Sequence, residues 1–157
     1  INQHPMLLNE MKNEIQDYIT PRIDSCFDDF KAQVEKRNAD VDYGETNIDI
    51  NLARNKIYLT ITKDITITKD KNVQNFGVFN IDIKNSIYDL TNVAIEIARQ
   101  EATYCYFEYA GYMVLYPRFD IRKTIMSDST KIYTIKDKQT KKEMNIAIRS
   151  CAIPAGI

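Results

Sequence analysis

The apolar residues near the start of the chain recur every three or four positions between residues 8 and 34. That spacing places them on one face of an α-helix. Pro21 interrupts the stretch, but Ile19 and Ile23 keep the four-residue step across it. The pattern therefore predicts a helical region that continues past the proline.

We expect the proline to bend this helical region. Proline has no backbone N–H, and its ring crowds the carbonyl four residues earlier. Thr20, immediately before Pro21, is a suitable N-cap for a new segment with proline at its first position. The prediction is two nearly collinear segments, 6–19 and 21–38, kinked at Thr20.

The hydrophobic period changes to two after residue 46, which is typical of strands with one buried face. The pattern predicts a three-stranded antiparallel meander over 46–83, with Arg54 and Asn55 forming the first tight turn. The residues expected to point inward are Ile48, Ile50, Ile57, Leu59, Ile61, Phe79, Ile81 and Ile83.

A second helix is predicted over 85–102, where the helical period returns behind a capping residue at Asn85 or Ser86. Leu90, Ala94 and Ile97 lie on its apolar face, and Glu101 falls on the same line. The remaining strand candidates form a second meander and span 121–126, 131–137 and 143–151.

These elements predict an α+β fold: a long kinked N-terminal helix and a second helix packed on antiparallel sheet built from two three-stranded meanders. A length of 157 residues indicates one domain over 1–157. We expect residues 1–5 and 152–157 to be loose ends.

The charge balance and the residue inventory argue against several function classes. There are 21 basic and 22 acidic residues, so a nucleic-acid partner is not expected. The one histidine is His4, near the start of the chain, and no glycine-rich phosphate loop is present. The segment 40–45, DVDYGE, resembles a calcium loop, but Gly44 and Asn51 stand where its spacing fails, so a polar loop is expected. We expect no catalytic residue, no cofactor and no metal.

The most unusual local feature is a tyrosine-rich segment, 104–116. Its tyrosines are a possible interaction surface, because exposed tyrosine offers a large amphipathic contact area at low entropic cost. Alternatively, the rings cover the sheet and only their hydroxyls reach water. The tyrosines are Tyr104, Tyr106, Tyr109, Tyr112 and Tyr116.

Three cysteines leave two interpretations open. All three can be buried thiols. Alternatively, Cys26 on the first helix pairs with Cys151 at the end of the last strand, and Cys105 remains a buried thiol. A disulfide would indicate an oxidising compartment.

The chain opens at Ile1 without a methionine and contains no run of about 18 apolar residues that could span a bilayer. We therefore expect contact with a membrane only through a segment upstream of Ile1.

Most of the chain, roughly residues 10–149, resembles a group of uncharacterised single-pass membrane proteins from small-genome archaea. The similar parts include IQDYITPRIDSCFDDF, a helix with a cysteine near its middle, FNIDIKNSIYDLTNVAIEIARQEA, and the closing STKIYTIKDKQTKKEMNIAIR. The resemblance implies an extracytoplasmic α+β domain behind one transmembrane helix, and it implies no activity.

The resulting hypothesis is a non-enzymatic, extracytoplasmic cell-surface or pilus-like interaction domain, with a protein partner or self-association. The alternative is a small-ligand-binding or enzymatic domain with a pocket between the sheet and the tyrosine-rich segment 104–116.

Overall fold

Three helices and two antiparallel sheets make up residues 7–149, the part of the chain that this computed structural model describes. The predicted α+β class is therefore confirmed. The chain divides into two compact units, one formed by residues 8–84 and one that begins at Asn85. The expected loose ends, 1–5 and 152–157, lie outside the described residues. Whether the chain forms one domain stays a prediction.

The first unit contains one helix and four strands, and the second unit contains two helices and three strands. In chain order the elements of the first unit are α1 (Leu7–Glu35), β1 (Asp40–Tyr43), β2 (Asn47–Ala53), β3 (Lys56–Lys69) and β4 (Asn72–Lys84). Those of the second unit are α2 (Ile87–Tyr104), α3 (Tyr109–Leu115), β5 (Phe119–Ile125), β6 (Thr130–Asp137) and β7 (Glu143–Arg149).

Helix α1 continues through Pro21 as one element, in place of the two segments that the sequence predicted on either side of Thr20. Side chains on both sides of the proline donate to helix carbonyls. The Thr20 Oγ1 donates to the carbonyl of Gln16 at 2.7 Å, and the Arg22 Nη1 donates to that of Tyr18 at 2.6 Å. These bonds support the turn in which proline removes a backbone donor.

Strand β3 is the centre of the first sheet. Strand β4 pairs with β3 along nearly the whole length of β3. Strands β2 and β1 pair with successive parts of the opposite edge of β3. A strand of 14 residues is about 46 Å long, so it can accommodate two short partners. The predicted meander is present, with Arg54 and Asn55 between its first two strands. Strand β1, however, occupies residues expected to form a polar loop.

One face of this sheet is apolar and lies against α1. Five of the eight residues predicted to point inward are buried, namely Ile48, Ile50, Ile57, Leu59 and Ile61. Phe79 is half-buried, and its ring centroid lies 5.7 Å from that of Phe27 on α1. Ile81 and Ile83 share this face by register but remain 43% and 41% exposed. They are exposed because β4 is an edge strand.

A buried lysine lies between α1 and the sheet. Lys63 on β3 donates to the carbonyl of Gly44 at 3.1 Å and to the Thr46 hydroxyl at 2.8 Å. Its ammonium group also lies 4.3 Å from the ring centroid of Tyr43 and 5.2 Å from that of Phe27. Aromatic faces and oxygen acceptors therefore compensate a charge that would otherwise be costly to bury.

Two carboxylates of α1 complete this arrangement. Asp24 accepts a hydrogen bond from Thr46 at 2.5 Å, and Asp28 accepts one from the Tyr43 hydroxyl at 2.6 Å. The bond to Asp28, followed by burial, raises the pKa of Tyr43 to about 12. Both aspartates therefore link α1 to the chain segment that contains the end of β1 and the connection to β2.

The second unit is built from α2 packed on the β5–β6–β7 meander, which is antiparallel as predicted. Leu90, Ala94 and Ile97 are buried in its core, as the helical pattern predicted. The strands supply Ile121 and Ile135, which are also buried and lie opposite each other in register.

A buried aspartate organises the far end of β6. Asp137 accepts two hydrogen bonds from Arg118, at 3.1 and 2.6 Å, and further bonds from the Thr140 hydroxyl and the Gln139 N–H. Arg118 also pairs with Asp89 in the first turn of α2, at 3.4 Å. Burial by itself would raise the pKa of Asp137, but the donors, Arg118 first, outweigh it and lower that pKa.

Replacing Leu90 by alanine should lower the free energy of unfolding by about 2–5 kcal/mol, because it leaves a cavity in the core. The matched control is Leu115→Ala on α3, where the side chain is 75% exposed and the expected loss is within about 0.5 kcal/mol. Urea titration followed by circular dichroism measures both. Equal losses for the two variants would contradict the described packing.

Candidate functional site

The five predicted tyrosines lie between the last turn of α2 and the end of α3. Tyr104 is the last residue of α2, Tyr106 lies in the connection, and Tyr116 caps the C-terminus of α3. Tyr109 and Tyr112 lie within α3 itself. We call residues 104, 106 and 114–116 with their half-buried neighbours 109 and 112 the tyrosine surface.

The five rings divide into two groups. Tyr104, Tyr106 and Tyr116 are 72%, 48% and 51% exposed, whereas Tyr109 and Tyr112 are half-buried against the core. The two interpretations of the sequence therefore each describe part of the segment: two rings cover the core, and three face solvent.

The sequence pattern did not indicate the two most exposed aliphatic residues of this region. Val114 and Leu115, at the end of α3, are 80% and 75% exposed. In the sequence they stand among apolar and aromatic residues, a composition that favours burial. They are exposed because α3 has only seven residues and turns its other side, with Tyr112 and Met113, toward the core.

Phe107 anchors the segment beneath the tyrosines. Its side chain is fully buried, and its ring centroid lies 5.4 Å from that of Tyr112 and 5.9 Å from that of Tyr133. Met113 also points inward, and its sulfur accepts a hydrogen bond from the Ile121 N–H at 3.1 Å. These side chains pack between the segment and the sheet, and the pocket that the alternative hypothesis expects there stays a prediction.

Glu108 fixes the start of α3. One of its carboxylate oxygens accepts from the N–H groups of Ala110 and Gly111 at 3.2 and 3.3 Å, as an N-cap residue does. The other accepts from the Tyr106 hydroxyl at 2.7 Å. The bond from Tyr106, then that from Gly111, lowers the pKa of Glu108.

Lys123 on β5 supplies the positive charge of this region. Its ammonium group lies 5.0 Å from the ring centroid of Tyr106 and 5.3 Å from that of Tyr109. These distances are within the range of cation–π attraction. Lys123 therefore holds the two rings together from the sheet side.

A buried carboxylate lies under the point where α2 ends. The Glu101 side chain is 1% exposed, and one of its oxygens accepts from the Lys131 ammonium group at 2.5 Å. Its other oxygen accepts from the Tyr133 hydroxyl. Lys131 also donates to the carbonyl of Cys105 at 2.7 Å, so the same ammonium group fixes the residue that ends the helix.

Burial, followed by the bond to Glu101, raises the pKa of Tyr133. The hydroxyl proton therefore stays on the tyrosine and continues to donate to the carboxylate. Both oxygens of Glu101 are engaged by these donors, which suits a structural role better than proton transfer. We call Glu101, Lys131 and Tyr133 the buried triad.

The cysteines differ from the predicted pairing. Cys26 is an exposed free thiol, because Phe27 and not Cys26 faces the sheet at this turn of α1. The proposed bond between Cys26 and Cys151 is therefore contradicted at Cys26, and Cys151 itself lies outside the described residues. Cys105, expected to be a buried thiol, is exposed and disulfide-bonded.

Similarity to known proteins adds nothing to this geometry. No protein-family model matches the sequence, and no curated protein or solved structure is similar enough to match it. Within residues 7–149, no group of three or more metal-ligating side chains comes together. None of the helices in that range is long and apolar enough to cross a bilayer.

Replacing Glu101 by glutamine should cost about 3 kcal/mol in the free energy of unfolding, because it leaves the Lys131 charge buried without its counter-charge. The control is Glu96→Gln on the same helix, which breaks an exposed pair with Arg99 and should cost about 0–1 kcal/mol. Urea denaturation at neutral pH measures both losses. A Glu101→Gln loss no larger than that of the control would refute the role of the buried triad.

Proposed function

We propose that this chain is an extracytoplasmic cell-surface or pilus-like interaction domain, and that it binds a protein partner through the tyrosine surface. The observation that carries the proposal is the exposed apolar group at the end of α3. Val114 and Leu115 project into solvent beside Tyr116, on a segment held from below by Phe107.

The chemistry of the surface favours a protein partner. Exposed aliphatic and aromatic side chains that lie together are typical of recognition surfaces, whereas single exposed apolar residues are ordinary. The rings of Tyr112 and Tyr116 lie 4.6 Å apart and present one continuous aromatic contact area. The charges nearby are few and of both signs, Glu108 and Lys123, which does not suit a phosphate backbone.

The organisation of the segment also supports binding. Association is weakened when side chains or loops must be ordered on contact. Here the Glu108 cap, the Lys123 contacts and the buried triad already order the connection and α3. Tyr106 and Tyr109 are therefore presented in a defined arrangement before any partner arrives.

The extracytoplasmic location is part of the proposal and has separate support. Cys105 is disulfide-bonded, and structural disulfides persist mainly in oxidising compartments. The resemblance to archaeal single-pass membrane proteins points the same way, and under it a segment upstream of Ile1 anchors the domain.

The location can be tested through the exposed thiol of Cys26. Intact cells that produce the protein are treated with a membrane-impermeant maleimide and digested for mass spectrometry. We expect labelling at Cys26 without lysis, and alkylation of Cys105 only after denaturation and reduction. Labelling of Cys26 only after lysis, or of Cys105 without reduction, would contradict the proposed compartment.

The binding surface can be tested with a photoreactive amino acid at Leu115. The matched control carries the same amino acid at Asn92, an exposed residue of α2 in the same unit. Irradiation of intact cells should give one discrete adduct from position 115, absent from position 92 and lost when Tyr116→Ala is added. Equal adducts from both positions, or none from position 115, would rule out this surface.

A further inference from the structure

Strand β4 is an unusually exposed edge strand. It has 13 residues and, within residues 7–149, pairs only with β3. An edge strand offers a row of unpaired backbone N–H and C=O groups that another strand can satisfy. Five of its apolar side chains are exposed by 41–59%: Val73, Phe76, Val78, Ile81 and Ile83.

Natural edge strands are normally protected from pairing by charges, prolines or short length. In the half of β4 from Val78 to Lys84, the only charged residues are Asp82 and Lys84. The carboxylate of Asp82 is already paired with Lys56 at 3.2 Å, and the segment contains no proline. Apart from Lys84 at its end, this edge therefore has little of the usual protection.

We propose that the β4 edge pairs antiparallel with β4 of a second copy of this chain, about a two-fold axis at Ile81. This pairing joins the two four-stranded sheets into one sheet of eight strands. The interface lies within residues 8–84 and does not rest on the tyrosine surface, so either proposal can fail without the other.

The side chains of this segment are complementary to themselves in that register. Residues directly opposite in an antiparallel pair lie on the same face of the sheet. On the face that α1 covers, Ile81 meets its own copy, and Phe79 meets Ile83. On the other face, Asn80 lies opposite Asp82, and Val78 lies opposite Lys84. No like charges oppose each other.

Neighbouring registers are less favourable. An axis at Asp82 would place two carboxylates directly opposite each other, which destabilises a strand pair. An axis at Asn80 would place Ile83 opposite Gly77, where no side chain can pack against it. On the N-terminal side of Val78 the β3–β4 ladder contains a bulge, in which Lys63 and Asp64 of β3 lie opposite Gly77 of β4. At this bulge the side chains of β4 change faces, so the regular segment of β4 is 78–84.

The self-complementary side chains of β4 favour a second copy of this chain as the partner of its edge. A two-fold interface must match a surface to itself. The apolar group on the α1 face satisfies this condition, because each of its three residues lies opposite a residue of the same group in the second copy. A chemically different strand would have no reason to prefer the axis at Ile81.

Cysteine cross-linking tests the register in the full-length chain. Each variant also carries Cys26→Ser, which removes the exposed free thiol. In the proposed pairing, the two copies of residue 81 have Cα atoms about 4.5–5.5 Å apart, within reach of a disulfide. The two copies of residue 83 are offset by four residues, about 13 Å, and cannot be bridged.

We therefore expect oxidised Ile81→Cys to form a covalent dimer on a non-reducing gel, and the matched Ile83→Cys to form about tenfold less or none. The two positions are nearly equally exposed, so reactivity alone does not separate them. Equal cross-linking of both variants would overturn the register and indicate unspecific edge contact.

Sedimentation equilibrium tests the association itself. The wild-type chain should dimerise reversibly, and Ile81→Lys should raise the dissociation constant about tenfold or more, because it places two ammonium groups opposite each other. Val73→Lys, on the same strand but outside the paired segment, should leave the constant unchanged. Unfolding midpoints equal to wild type, measured at a concentration at which the wild-type chain is monomeric, confirm that both variants fold. Even weak dimers form at about 100 μM. A wild-type chain that stays monomeric up to that concentration would overturn the proposal and would indicate that the β4 edge does not pair with a second copy.

Discussion

The buried carboxylate of Glu101 is the constraint on which the second unit depends. A carboxylate that is removed from water must be compensated by charge and hydrogen bonds. Lys131 and Tyr133, two residues apart on β6, supply that compensation from the sheet. The position of α2 along the sheet is therefore set by polar geometry as well as by apolar packing.

The same ammonium group determines where the chain goes after the helix. Lys131 donates to the carbonyl of Cys105, which takes the left-handed conformation that ends α2. This turn carries the chain to Phe107, which enters the core directly afterwards. The Glu108 cap then starts α3, whose core side carries Tyr112 and Met113 and whose other side leaves Val114 and Leu115 exposed. Lys63 has a comparable role in the first unit, where it links α1 to the sheet.

The sequence predicted the repeating elements well, because burial on one face imposes a period that can be counted. It also contained signals for two of the buried charges: Glu101 continues the apolar line of α2, and Lys63 continues the buried alternation of β3. Their partners could not be predicted, since they come from other elements.

The exposure of Ile81 was not predictable either, because periodicity shows which face is apolar but not which strand lies at the edge. The thiol of Cys26 was misplaced for a related reason: the helical stripe passes through Phe27 and leaves Cys26 in solvent.

The central claim is that the buried triad holds the tyrosine surface in place, and hydrogen–deuterium exchange of residues 105–116 tests it most directly. The comparison is between wild type, Lys131→Met and the control Lys136→Met, which removes a more exposed pair with Glu143 from the same strand. With the amides of α2 as internal reference, Lys131→Met should speed exchange across 105–116 about tenfold or more, because local opening becomes easier. The control should match wild type. Unchanged exchange in Lys131→Met would show that the surface is held by other contacts and would contradict the account.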